Sequence, residues 1–425
     1  MSNRITNTAL DELVSLQTEK IFANKDPKLP YVGLEHMAQG EPRLLGTANS
    51  STSISVNAVF KKDDVLFGKL RPNLRKSIKA PFDGYCSTDI LVLRSQDGVA
   101  PDFSAHVFHW ERVFSAAVAT AAGTKMPRTS WSDLKRFKIF KPESASAQSR
   151  IAYVLDTIDE AIARTEGLIA KLKQVRAGML HALLSYGLDE HGQLRDPASH
   201  PEQFKDSPLG LIPKEWEVCT LAELAIEKLV NGVFKEPKRV GSGVPLVNVA
   251  DLYKGESVDL EACELFSVTK DEITRYGVLR GDIFFTRSSL KLEGIAQTSF
   301  MFTDAGDAVF ECHVMRLRPD TKKIVPRFLK EWCAGDFARR HFMAHAKQVT
   351  MTTISQDGVS RLLCPRPDLT EQEKAVSIIE AMADSLLNEI TIAQKLRFLK
   401  IALQDDLLTG RVRVPETIME GAERE

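Results

Sequence analysis

The sequence predicts an α+β protein in which two pseudo-twofold-related globular domains are separated by an antiparallel coiled coil of two long helices. Three observations carry that prediction. Residues 148–184, QSRIAYVLDTIDEAIARTEGLIAKLKQVRAGMLHALL, read as one long helix with an apolar seam. The same pattern returns without a gap at 372–408. The short, turn-rich apolar segments before each helix also echo one another in order.

With 425 residues, 43% of them hydrophobic and 27% charged, the chain exceeds one ordinary domain and has apolar content for more than one core. The formal net charge of −1 gives no whole-chain attraction to nucleic acid, so only a local basic face could supply it. Six cysteines (Cys86, Cys219, Cys263, Cys312, Cys333, Cys364) stand singly with no Cys-x-x-Cys pair. That argues against a zinc ribbon or a disulfide framework and fits a reducing compartment. The first 16 residues lack a basic segment followed by an apolar run, and no stretch approaches the roughly 20 apolar residues of a membrane span. A cytoplasmic protein without membrane contact is expected.

The first globular domain is read as 1–142. Within it LPYVGLEHM (29–37), DDVLFGKL (63–70) and STDILVLR (87–94) alternate like strands between Gly, Pro and Asn signals. Residues 105–122 read as a helix closed by Gly123. The long helix occupies 143–187. Alternating steps of four and three from Ile151 meet Ile151, Leu155, Ile158, Ile162, Thr165, Ile169, Leu172, Arg176, Met179 and Leu183. At about 1.5 Å per residue the helix spans roughly 55 Å, more than one compact domain requires.

Residues 188–210 are polar, with three prolines in 187–210, and read as a linker. A second globular domain is assigned to 211–367. There VPLVNVADL (244–252) echoes LPYVGLEHM, RGDIFFTR (280–287) echoes KDDVLFGK, and AVFECHVMRLR (308–318) answers GYCSTDILVLR (84–94). A helix at 328–346 follows. The second long helix is placed at 368–410, with seam residues Ile379, Met382, Leu386, Leu396, Leu403 and Leu407, and 411–425 is a tail.

The two long helices align at an offset of 224 residues, Gln148 with Gln372 and Leu172 with Leu396. Even the seam's interruptions coincide, Thr165 with Glu389 and Arg176 with Lys400. The chain is therefore read as an internal duplication. Two copies are too few for a solenoid, so a pseudo-twofold pair is expected. The nearest partner for each seam is the other copy in the same chain.

A search for catalytic motifs returns little. There is no Walker A loop, no His-Glu-x-x-His and no nucleophile elbow. Gly241-Ser242-Gly243 begins a dinucleotide fingerprint, but Leu246 stands where its third glycine belongs. The chain has no Pro-Pro, which the tetrapeptide of an adenine methyltransferase would contain. No catalytic residue is assigned. His341 and His345 have a metal-binding spacing but no third ligand, and Arg339, Arg340 and Lys347 surround them with positive charge, so no metal site is expected. His36 and His313 read as strand or turn histidines.

Basic clusters are more informative. Lys69, Arg71, Asn73, Arg75, Lys76 and Lys79 share one loop beside a strand, and Lys125 and Arg128 flank the turn 123–130. In the second half Lys235, Lys238 and Arg239 lie in a Pro-Gly loop, Arg287 and Lys291 follow a strand, and Arg339, Arg340 and Lys347 decorate a helix. A charged loop is most often plain solvated surface. Recurrence at corresponding places in both halves is what points to phosphate and base contacts with double-stranded DNA.

At this point the chain resembles a known family, the specificity subunit of type I restriction-modification systems. SPLGLIPKEWEVCTLAEL (207–224), with its Leu-x-Pro-x-x-Trp lead-in, is similar to the opening of a target-recognition domain of that family. LRPNLRKSIKAPFDGYCSTDILVLR (70–94) is similar to the strand-turn-strand stretch of such domains. Both long helices look like the family's conserved regions, which begin Glu-Gln and run through Ile-x-x-x-Leu-Asp-x-Ile-Asp. The first helix keeps Gln148, Leu155-Asp156 and Ile158-Asp159 but has Ala147 in place of Glu. The second keeps Glu371-Gln372 but has Ala383 where the later Asp is common. The first half also lacks the Pro-x-x-Trp lead-in.

The resemblance implies a non-catalytic role. Each globular domain reads half of a bipartite, asymmetric DNA site, and the coiled coil sets the gap between the halves. Two modification subunits dock on it and methylate adenine N6, and restriction subunits join them. S-adenosylmethionine, ATP and Mg belong to those partners, with no cofactor on this chain. The competing readings are a coiled-coil structural adaptor with protein-binding domains and a stand-alone DNA methyltransferase or nuclease.

Overall fold

A computed structural model describes residues 7–22, 29–52, 55–304, 306–348 and 350–418. The first six residues of the N-terminal stretch and residues 419–425 of the expected tail lie outside them. The chain forms two compact units, one of residues 1–168 with 389–425 and one of residues 169–388. The first long helix, Ala145–Ser185, and the second, Leu369–Leu408, each contribute one half to each unit.

In unit 1 a four-stranded antiparallel sheet has the order Val14–Leu16, Ile90–Ser95, Val65–Gly68, Ser77–Lys79. A second sheet pairs Pro30–Val32 in parallel with Gly84–Ser87. Phe67, on the inner face of Val65–Gly68, stacks on Phe114 with ring centroids 5.0 Å apart. Phe103, Phe108 and Leu93 complete a buried core with Ile151 and Leu155 of the first long helix and Leu407 and Leu408 of the second. Burying each such side chain stabilises the unit by roughly 1.5–3 kcal/mol.

Unit 2 repeats the order of the four-stranded sheet and the parallel pair, while its second sheet has three strands where that of unit 1 has five. Its four-stranded sheet has the order Val230–Asn231, Val314–Leu317, Ile283–Thr286, Thr298–Phe300. Val240–Val247 runs parallel to Val309–Phe310. Phe285, Phe328 and Phe342 pack with Leu183, Leu184, Ala375, Val376 and Ile379 of the long helices.

The helices run antiparallel in each unit. In unit 1, Leu155 clusters with Leu407, Asp159 pairs with Lys400, and Glu166 pairs with Arg397, so numbering rises on one helix as it falls on the other. In unit 2, Leu183 and Leu184 share one core with Ala375, Val376 and Ile379. Every seam position from Ile151 to Leu183, and from Ile379 to Leu407, is buried or half-buried.

Two expectations need correction. The helix read at 105–122 is a pair, Pro101–His109 and Glu111–Ala119, broken at Trp110, whose extended backbone (φ −73°, ψ 137°) caps the second helix. Residues 328–346 divide in the same way into Pro326–Ala334 and Asp336–Ala344, at an extended Gly335 (ψ 167°). Continuous apolar periodicity hid both corners, because Trp110 is itself a core residue.

The polar stretch 188–210 is more than a bare connection. Gly187 closes the first long helix at φ +66°, and a Cβ there would strike Glu371 and Trp216. Phe204–Ser207 then forms a hairpin with Gly210–Pro213. Glu371, at the start of the second long helix, holds this region. It accepts hydrogen bonds from the Leu188 backbone N–H (2.7 Å), Arg195 Nη1 (2.6 Å) and Trp216 Nε1 (3.1 Å). Among the described residues no helix is long and apolar enough to cross a membrane.

Candidate nucleic-acid interface

The strand Val65–Gly68 runs out of unit 1's sheet into Lys69, Leu70 and Arg71, then the one-turn helix Pro72–Leu74. Arg71 and Arg75 flank that turn with left-handed backbones (φ 50° and 51°), a conformation unusual outside glycine. The segment 122–130 folds against this exit. Leu70 bridges Arg128, the Arg71 N–H donates to the Pro127 carbonyl at 2.7 Å, and the Thr129 N–H donates to the Lys69 carbonyl at 3.0 Å. Ser130 then caps the helix Trp131–Leu134.

Unit 2 builds the same edge. Ile283–Thr286 leads through Arg287 into Ser288–Ser289, Leu290 and Lys291. The hairpin of Lys347–Gln348 and Thr352–Thr353 lies against it, with Ser288 opposite Thr353 and Ser289 opposite Thr352. The Ile354 N–H donates to the Arg287 carbonyl at 3.0 Å, the counterpart of Thr129 to Lys69, and Ser355 caps the helix Gln356–Ser360.

The structure divides the candidate cations into two groups. Several are committed to holding the protein together. Arg75 pairs with Glu111 (2.8 Å), Lys79 with Asp102, Arg128 with Asp89 (2.9 Å) and Lys235 with Glu264 (2.5 Å). Lys76 donates to the Leu34 carbonyl at 2.6 Å, and Arg339 to the carbonyls of Ile295 and Glu293 at 2.5 and 2.7 Å. Arg239 stacks over the Phe266 ring at 4.6 Å and pairs with Glu272. That hydrogen bond holds the Glu272 carboxyl down at about 2.

The others are half-exposed or exposed and have no ion-pair partner among the described residues: Lys69, Arg71, Lys125, Lys238, Arg287, Lys291, Arg340 and Lys347, with Asn73 beside them. Lys69, Arg71 and Lys125 sit on the unit 1 edge. Arg287, Lys291 and Lys347 are brought onto the unit 2 edge by the small three-stranded sheet, although Lys347 is far from the other two in sequence. Cations on such an edge without ion-pair partners among the described residues are suited to meeting a polyanion.

The histidines are occupied locally. His341 and His345 stack at 4.1 Å, and both hydrogen-bond backbone carbonyls, Gly358 and His341 respectively. Burial lowers the His341 pKa. His36 accepts the Gly33 N–H at 2.9 Å, and His313 Nδ1 lies 2.7 Å from Ser288 Oγ. Glu311, Cys312 and His313 bring one ligand atom each within 4.8 Å of one another.

Sequence reading passed over three exposed apolar residues on these edges, Met126 (44% exposed), Met351 (41%) and Leu290 (86%). The signal was present: Met-x-x-x-Ser occurs at 126–130 and again at 351–355, each serine capping the next helix.

No protein-family model matches the chain. The specificity subunit of the type I restriction enzyme EcoBI from Escherichia coli is 26% identical over 256 residues, covering 58% of this chain and 52% of that protein. The putative MjaX specificity subunit of Methanocaldococcus jannaschii is 24% identical over 190 residues, 44% of each. The chain thus spans about half the length of these curated relatives. The StySPI specificity subunit of Salmonella potsdam is 25% identical over 328 residues, 75% of this chain and 66% of that protein. The crystal structure of a type I restriction-modification S subunit from M. genitalium superposes with TM-score 0.56 at 16% identity, covering 96% of this chain and 97% of that one. A chain from a structural study of assembly and conformational transition in a type I system gives the same TM-score and identity, with 96% and 98% covered. At that identity the likeness concerns the fold. The resemblance read from the sequence is borne out.

Proposed function

We propose, from this similarity to type I restriction specificity subunits, that the chain is the DNA sequence-specificity subunit of a type I restriction-modification complex. Each unit presents its two-loop edge to one half of a bipartite, asymmetric duplex site, and the antiparallel helices set the gap. One observation carries the reading: the same bridged pair of loops, each with cations that have no ion-pair partner among the described residues, is built twice from one duplicated sequence. Phosphates hold and orient such an edge, while base contacts supply the specificity.

In this reading the chain performs no catalysis. Two modification subunits dock on the helices and bring S-adenosylmethionine to a flipped adenine, and restriction subunits bring ATP and Mg. Phe398 and Ile401, 74% and 56% exposed on the second long helix, support docking, since large apolar side chains on a paired helix are more favourable when covered.

Gel-shift selection from random duplexes, with modification subunits present, tests the reading. Enrichment of two short half-sites at a fixed gap is the expected result, and the isolated chain should transfer no methyl group. Enrichment of no bipartite site would leave the adaptor reading standing instead.

A further inference from the structure

The loop pairing in both units continues one step beyond the residues that bridge, and what stands there is apolar. In unit 2 the register pairs Ser289 with Thr352, so the next pair outward is Leu290 and Met351. In unit 1, Leu70 bridges Arg128 and the Arg71 N–H binds the Pro127 carbonyl, so the next pair is Pro72 and Met126. Pro72 is buried, and Met126 is the exposed member. Duplication has kept an apolar tip at this position while its surroundings diverged. Lys125 corresponds to Thr350, Arg128 to Thr353 and Asn73 to Lys291.

A single exposed hydrophobic residue needs no explanation. These occupy equivalent outermost positions of two bridged edges, and each is bracketed by cations without ion-pair partners among the described residues. Lys69, Arg71 and Lys125 bracket Met126, and Arg287, Lys291 and Lys347 bracket Leu290 and Met351. An apolar side chain gains nothing from a phosphate. It gains from a thymine methyl or from the face of a partly unstacked base. Cations on either side, held to the phosphates that border a groove, would drive the tip between them toward the bases.

We infer that Met126 in unit 1 and the pair Leu290 and Met351 in unit 2 are base-reading elements, which contact base edges or faces of double-stranded DNA while the neighbouring cations hold its backbone. This inference rests on the DNA-recognition reading and assigns the specificity-determining role within each edge to the apolar residues.

The test is selection from a random duplex pool by the complex assembled with modification subunits, comparing the unaltered chain with M126A, with L290A/M351A, and with the conservative M126L and M351L. M126A should flatten base preference at one or two adjacent positions of one half-site, lowering discrimination there about 5- to 100-fold, with the other half-site unchanged. L290A/M351A should do the same in the other half-site. In both variants non-specific affinity and its salt dependence stay as they were, which also verifies folding, and the leucine variants keep the original motif.

If the unaltered chain enriches a bipartite motif and the alanine variants enrich it with the same weight at every position, the inference fails while DNA recognition stands. If the unaltered chain enriches no motif, both fall. Equal loss of affinity for all duplexes, or loss of the modification subunit from the complex, would also overturn the assignment, because the tips would then be general anchors or protein contacts.

Discussion

Lys400 Nζ lies 2.5 Å from the Asp159 carboxylate, at a position where the heptad rule of the second long helix calls for an apolar side chain. Both groups are largely shielded from water, at 12% and 21% side-chain exposure. Its counterpart, Arg176, pairs instead with Glu256 at 2.8 Å within unit 2. Arg176 and Lys400, the two members of this shared interruption, are therefore charged for different local reasons.

Removing one partner of such a pair strands the other in a poorly hydrated place. Lys400→Ala should lower stability by about 1–3 kcal/mol in chemical unfolding followed by helical circular dichroism. The double change Lys400→Met with Asp159→Asn should recover most of that loss. No recovery would mean that the pair is incidental to helix packing.

Glu371 offers a second test. Its carboxylate collects the Leu188 N–H, the Arg195 guanidinium and the Trp216 indole N–H, so Glu371→Ala leaves several donors without an acceptor. A loss of about 2–4 kcal/mol is expected, with a shift in tryptophan emission as water reaches Trp216. Glu371→Gln should cost less, and an unchanged melting temperature for Glu371→Ala would contradict the anchoring role.

That carboxylate also shows what could be read from the sequence and what could not. Ala147 in place of Glu and the missing Pro-x-x-Trp lead-in are two departures of the first half from the family pattern, visible separately. In unit 2 the corresponding residues, Glu371 and Trp216, are the two ends of one hydrogen bond, so losing both together is one change. The glutamines were legible as repeats but not as devices. Gln148 accepts the Ala100 N–H (2.9 Å) and donates to the Pro142 carbonyl (3.0 Å), and Gln372 does the same for Val325 (2.6 Å) and Pro367 (2.8 Å).

Periodicity exposed the long helices because a heptad repeat is a local property of the chain. The bridge of Leu70 to Arg128 and of Ser288 to Thr353 joins segments far apart in sequence, and no local pattern encodes it. For the same reason charge alone could not separate Arg287, which has no ion-pair partner among the described residues, from Arg239, which is committed to Glu272.

That separation predicts unequal mutants. Arg71→Ala should weaken one half-site only, and Arg287→Ala the other, each reducing the slope of log affinity against log salt by about 1. Arg239→Ala should leave the slope unchanged and instead destabilise unit 2, on the order of 1–2 kcal/mol after allowance for solvent screening. Gel shifts across a salt series distinguish the two outcomes.

The units should also differ in their response to acid. Burial, with Lys400 nearby, depresses His109 from 6.5 to about 3, so it is neutral in the folded state. The unfolded chain then binds the proton more readily, and stability present above about 6.5 is lost as pH falls toward 3, by up to about 2 kcal/mol at pH 5. Glu272, held down at about 2, contributes stability that is intact above 4.5 and lost only as pH falls toward 2. Hydrogen exchange at pH 5 should show Glu111–Ala119 loosened before the helix Lys270–Tyr276. His109→Phe should remove the first loss, and persistence of that loss would assign it to another group.

The proposed spacer makes the most demanding prediction. One heptad inserted after Leu172 and one after Leu396 lengthens both antiparallel helices while preserving the seam. Seven residues add about 10 Å of helix, or roughly three base pairs at 3.4 Å per step. The added heptad turns the seam by only about 20°, whereas three base pairs turn the duplex by about 100° at roughly 10.5 base pairs per turn. The altered subunit should therefore select both original half-sites at a gap about three base pairs longer, with reduced affinity, because DNA twist or bending must absorb the difference. A selected gap identical to that of the unaltered chain, with both half-sites still read, would show that the helices do not set it.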